Sequence, residues 1–166
     1  MKKLLGLLAL VTMFSCSDGD LQIETIDFDS VSIQQCGTVD TTTVLFFKIN
    51  ADQALILNLQ SGLLSNEATT ESISSSVPGQ SQVTYRIFSE TVTSNYFCDD
   101  IPPVTPVVTE EIEAEDGEVL ITTVANETGA FEHTIQLQNI TLVNDQGERI
   151  TDLTISEFGT VTTTAN

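Results

Sequence analysis

Six acidic side chains, Glu110, Glu111, Glu113, Glu115, Asp116 and Glu118, crowd into nine residues of this sequence. In an extended chain, side chains repeat with period two, so Glu111, Glu113 and Glu115 project together. Three carboxylates on one face can offer calcium the oxygen ligands it prefers. The spacing is not that of an EF-hand loop. The competing interpretation is a solvated outer face of a strand, charged because it meets water. Asp99 and Asp100 form a second, smaller candidate for a metal. Carboxylate pairs can also hydrolyse glycosides, but with 24 acidic residues such pairs carry little information. The chain has no Trp and only two Tyr to stack on a sugar. His133, the only histidine, is the one candidate base for Ser-His-Asp chemistry. No nucleophile elbow accompanies it. It shares parity with Ile135 and Leu137, which places it in the packed face of a strand.

The beginning of the chain carries different chemistry. Lys2 and Lys3 precede an apolar run over residues 4–14. That run is shorter than the roughly 20 residues a membrane-spanning helix needs, and fits a processed export signal. It closes on Met13-Phe14-Ser15-Cys16. This resembles the lipobox of bacterial lipoproteins, in the looser form found in the Bacteroidota. The resemblance implies a diacylglyceryl group on the Cys16 thiol and cleavage just before it. An ordinary signal peptide with an incidental cysteine is the alternative. Residues 1–15 are then the removed signal, and residues 16–22 an acidic, lipidated tether. The Cys16-Ser17-Asp18-Gly19-Asp20 run is similar to the short acidic signal that sends such lipoproteins to the outer leaflet of the outer membrane. It implies display at the cell surface, with a periplasm-facing outer-membrane anchor as the alternative. Two or more acyl chains suffice for stable anchoring where one does not. The Tyr96-to-Pro103 segment and the acidic, β-rich body also resemble small flavobacterial lipoproteins, a resemblance that brings no catalytic residues.

Removing Lys2 and Lys3 leaves three basic residues against 24 acidic ones, a formal charge of −21. Three scattered cations cannot build a surface for nucleic-acid phosphates. They also disfavour a domain body lying on anionic lipid. If Cys16 carries lipid, Cys36 and Cys98 remain. In an exported chain a lone pair reads as a disulfide, with two buried free thiols as the alternative. Neither cysteine has the Cys-x-x-Cys spacing of a redox site.

The elements that position these residues are strands. Thr, Ser, Val and Ile dominate, and branching at Cβ favours extended backbone. Strands are expected at 21–31 with a bend, at 42–50 and 54–59 as a hairpin, and at 83–88 as a central strand. Further strands are expected at 107–114, 118–126, 130–144 with a bulge, and 150–158. Turns fall at 50–53, 115–117, 126–129 and 144–148. Residues 61–82 read mostly as loop, with a weak helical turn near 67–72. The prolines of 101–106 make that stretch an extended connector. The pattern predicts an all-β protein: an antiparallel β-sandwich of about seven to nine strands, with a β-barrel as the alternative. It forms one domain over residues 23–166, with a joint near 101–106 if it divides into two lobes.

These observations favour a non-enzymatic, membrane-anchored lipoprotein that binds or scaffolds another envelope component, a protein or a glycan. A calcium- or glycan-dependent adhesion module is the alternative, and a small hydrolase the least supported. No cofactor other than calcium is suggested.

Overall fold

The computed structural model describes residues 26–150 and 157–164. The expected signal, Cys16 and the tether at 16–22 lie outside the described residues. The elements in chain order are β1 (Gln34–Gln35), β2 (Leu45–Asn50), β3 (Gln53–Asn58), β4 (Ile73–Ser76), β5 (Gln82–Phe88), α1 (Asn95–Cys98), β6 (Val108–Ala125), β7 (Ala130–Val143), β8 (Arg149–Ile150) and β9 (Glu157–Thr164). Every pairing among them is antiparallel. The fold is all-β, as the sequence predicts. One curled sheet runs β1-β2-β3-β5-β6-β7-β8 and forms a half-barrel, with β4 added to β6 and β9 added to β7.

The hairpin of β2 and β3 turns through Ala51 and Asp52, with Ala51 at φ 55°. Its apolar residues are not confined to alternate positions. Phe46, Leu55 and Leu57 enter the main core, whereas Phe47, Ala54 and Ile56 enter a second core. Burial on both faces explains the unbroken run Leu45-Phe46-Phe47, since a strand covered on both sides has no solvent face to keep polar. Strand β5, paired with β3 on one edge and β6 on the other, is central as expected.

The largest departure from the sequence expectation is at 115–117. A turn there would have separated two strands; instead β6 runs through it as one strand of 18 residues. The pairing register shifts on both sides of Asp116. Gly117 adopts φ +128°, and its amide donates to Asp116 Oδ1 at 2.9 Å. The turn-forming residues thus build bulges, which bend a strand without ending it. The bend lets β6 pair first with β5 and then with β4, while β7 follows from Ala114 to Ala125. Opposite it, β7 has its own irregularity at Asn139, φ 55°, within the stretch where a bulge was expected.

Other differences are local. No helix forms at 67–72: Thr69 instead exchanges hydrogen bonds with Thr123, its amide donating to the Thr123 carbonyl and its hydroxyl accepting from the Thr123 amide. Ser74, Ser75 and Ser76, within the stretch expected as loop, belong to strand β4. Ser75 is fully buried there because its hydroxyl meets that of Ser81 at 2.7 Å. Residues 26–31 are irregular rather than extended, with a turn at Asp29-Ser30, although Ile26 and Phe28 are core residues. The strand expected at 150–158 extends further, to Thr164: β8 at Arg149–Ile150 and β9 at Glu157–Thr164 both pair with β7, and residues 151–156 between them lie outside the described chain.

The main core draws on both sides of 101–106, from Phe46, Leu57 and Tyr85 to Ile121, Ile135 and Phe158. Its edge is sealed where Ile33 lies across Gly159 of β9. Gly159 has φ +148°, and a Cβ there would stand 2.8 Å from Ile33 Cβ. Gly159→Ala should therefore lower stability by about 1–3 kcal/mol, from overlap and a backbone conformation that L-residues avoid. Urea midpoints provide the check. Adding Ile33→Ala should recover only the overlap with Ile33 Cγ2, at 2.9 Å, because alanine keeps the Cβ, and should leave the Cβ contact and the backbone part. Equal midpoints for Gly159→Ala and the parent would disprove this account of the seal.

Candidate functional site

Between β5 and β6 the chain leaves the sheet at Ser89 and returns at Val107. The neck of this excursion is closed by two hydrogen bonds: Ser89 N donates to the Val107 carbonyl at 2.9 Å, and Val107 N donates to Ser89 Oγ at 3.1 Å. On the way out, the β2–β3 turn holds it. The Asp52 carbonyl accepts from Phe88 N at 2.7 Å, and that of Ala51 accepts from Val92 N at 3.0 Å. Helix α1, only four residues long, then lays Tyr96 and Phe97 on the outer face of the sheet. Phe97 stacks on Phe47 with ring centroids 4.4 Å apart, and Tyr96 meets the edge of Phe88 at 4.9 Å. Such aromatic pairs add roughly 0.5–1.5 kcal/mol each beyond their buried area.

The Cys36–Cys98 disulfide bolts the end of α1 to the chain just after β1. The bridge expected from the cysteine count is present. Beyond it, the chain is unlike the rest of the surface. Asp99 and Asp100 are exposed, then Ile101 is 85% and Val104 92% exposed, with Pro102 and Pro103 exposed between them. The backbone bends at Ile101 and again at Val104, so each side chain sits at a corner of the loop. Pro106 is buried and ends the exposed stretch. The connector expected at 101–106 is thus a pinned projection with an apolar tip.

The acidic face is built as predicted. Glu111, Glu113 and Glu115 are exposed, alternating with buried Ile112 and Ala114. They border a depression of about 530 Å³ with Pro78 and Asp145. Glu111 is engaged by Arg86 in an ion pair across the β5–β6 ladder. Among the described residues no group of three His, Cys, Asp or Glu side chains is arranged to hold a metal ion.

His133 is fully buried, on the same side of β7 as Ile135 and Leu137. Nδ1 lies 2.8 Å from Thr123 Oγ1 and Nε2 2.9 Å from Thr163 Oγ1. The Thr163 hydroxyl donates to Asn66 Oδ1 at 2.6 Å, so it accepts from Nε2–H. Thr123 then donates to Nδ1. The imidazole is neutral with both nitrogens spent, and burial holds its pKa below the ordinary value. It braces β6, β7 and β9 and has no face open to a substrate.

Lys48 was not singled out by the sequence expectations. It stands in the apolar run Phe46-Phe47-Lys48-Ile49 and is only 4% exposed. Its Nζ donates to the Phe28 carbonyl at 2.9 Å and to the Glu157 carbonyl at 3.4 Å, and lies 5.7 Å from the Phe158 ring centre. Burial lowers its pKa, and Asp29 and Glu157 pull the other way. It clamps the entering chain to β9 at the base of a cavity of about 750 Å³, bordered by Asp29, Ser30, Ile33 and Thr160. A lysine inside an apolar strand run is the signal that marks it.

No protein-family model matches this chain, and no curated protein or solved structure is significantly similar to it.

The disulfide spans 62 positions. Replacing both cysteines by serine should cost about 4 kcal/mol in the loop-closure model. Limited proteolysis of that variant should cut first within residues 99–107. Unchanged denaturant midpoints would show that the bridge contributes nothing. For His133 the sign is set by its lowered pKa. Above about pH 6.5 folded and unfolded chains are both neutral at this site; below it the unfolded chain takes up a proton that the fold refuses. The contribution of neutral His133 is therefore lost as pH falls from about 7 toward 5. Urea midpoints over that range should drop more steeply for the parent than for His133→Gln, and parallel curves would refute the assignment.

Proposed function

We propose that this chain is a lipid-anchored protein of the bacterial outer membrane, displayed at the cell surface, whose β-domain is a non-catalytic binding module. The Cys36–Cys98 disulfide is the observation that carries this proposal. It engages two of the three cysteines in the sequence, and the third is Cys16, directly behind the apolar segment that resembles a lipoprotein signal. A disulfide is also the natural state of paired thiols outside the cytosol. A diacylglyceryl group joined to Cys16 through a thioether provides the membrane contact. The acidic residues that follow provide a solvated spacer. The strongly negative domain is kept off anionic lipid and free to meet a partner.

The polar groups of the interior support a binding role over catalysis. His133 is committed to two threonines, and Lys48 to two main-chain carbonyls. Both serve the fold.

Cells labelled with a fatty-acid analogue should incorporate it into the parent protein and not into Cys16→Ala, which should be released from the membrane fraction. Equal labelling of the two would overturn the anchor. Protease added to intact cells should degrade the parent protein if it is displayed outward, and leave it whole if it faces the periplasm.

A further inference from the structure

The apolar tip at Ile101 and Val104 is the feature that the fold itself does not use. Both side chains are more than four-fifths exposed, and Val107 at the neck is 52% exposed. Large aliphatic side chains held in water gain nothing for the folded chain, whereas burying one against a partner is worth about 1.5–3 kcal/mol. The loop carrying them is held at three places: the Ser89–Val107 neck, the Cys36–Cys98 bridge and the aromatic packing of Tyr96 and Phe97. Pro102 and Pro103 restrict the backbone between the two tips. A partner therefore meets a loop whose ordering cost has already been met in folding, which is the condition for an effective small contact.

Charge narrows the occupant. Asp99 and Asp100 precede the tip, and Glu110 and Glu111 follow on β6. Insertion into a bilayer with anionic headgroups is opposed by those carboxylates, and the tip has no aromatic or basic residue to hold it at the interface. A second copy of this chain would bring the same acidic border against its own. A protein partner with an apolar groove rimmed by Lys or Arg satisfies both features, since proline and branched aliphatic side chains fill such grooves and the rim pairs with the carboxylates.

We propose that residues 99–107 are a docking loop, with Ile101 and Val104 inserted into an apolar, basic-rimmed groove of a partner protein. The proposal rests on the domain being a binding module and specifies where and how it binds.

The test uses the full chain in its native membranes, with the photocrosslinking residue p-benzoylphenylalanine at Thr105, and at Thr128 and Asp145 as exposed positions elsewhere. The expected result is one heterologous protein crosslinked from Thr105 and not from the other two. Mass spectrometry of the crosslinked peptide should place it in an apolar groove bordered by Lys or Arg. Ile101→Ser with Val104→Ser should lower the yield at least about tenfold. Asp99→Asn with Asp100→Asn should lower it and weaken its salt dependence. Both variants change exposed residues, and unaltered thermal unfolding verifies their fold. Crosslinks from Thr105 to lipid, or to a second copy of this chain, overturn the proposal. A partner captured from Thr128 or Asp145 but not from Thr105 overturns it while leaving the binding-module reading intact. No crosslink from any position removes both.

Discussion

A single strand belongs to both halves of the sheet. Because β6 bends at Asp116 and Gly117 instead of turning back, its first part completes the layer of β1, β2, β3 and β5, and its second part supports β4 and β7. The main core is the space this bend encloses. A straight β6 would leave Phe46 and Leu57 on one side and Ile121 and Ile135 on the other with nothing to pack against. The bulge needs a residue without a side chain at its inner corner: a Cβ on Gly117 would lie 2.9 Å from the Ile140 Cα. The close approach of β6 to β7 and the curvature of the sheet are one geometric requirement.

Curling a sheet raises the question of its open edge. The chain meets it with contacts of three kinds. Ile33 packs on Gly159, Lys48 links the Phe28 and Glu157 carbonyls, and His133 joins β9 to β6 and to Asn66. Lys48 and His133 are each satisfied by specific partners, which is the condition under which burying a polar group does not oppose folding. The second core does the same for the outer face of the other layer. There α1 and the disulfide cover Phe47, Ile56 and Phe88 and leave the Ile101–Val104 tip standing in solvent.

Where the sequence pattern was legible, one residue type had one role. Leu55, Leu57 and Leu59 alternate and are buried together. Glu111, Glu113 and Glu115 alternate with Ile112 and Ala114 and are exposed together. His133 follows the parity of its apolar neighbours into the core. Errors arose where one residue type serves two structures. Glu115-Asp116-Gly117 suits a turn as well as a bulge, and the difference depends on whether β7 is alongside. Serines 74–76 and the threonines of β9 look like solvent-facing residues, yet Ser75 and Thr163 point inward because Ser81 and His133 wait there with matching hydrogen-bond groups. The role of Lys48 is not legible locally, since the carbonyls it binds come from segments 20 and 109 positions away.

By itself, the sequence determined the all-β class, the antiparallel hairpins, the identity of the disulfide partners once Cys16 was set aside, and the predominance of negative charge. These follow from local backbone preference, two-residue periodicity and counting, none of which needs distant neighbours. Tertiary structure alone decided that β6 is one bent strand, that Lys48 and His133 are braces, and that residues 99–107 form a pinned projection. Those outcomes depend on which segments lie side by side, and a polar or apolar side chain acquires its role only when the group opposite it is in place.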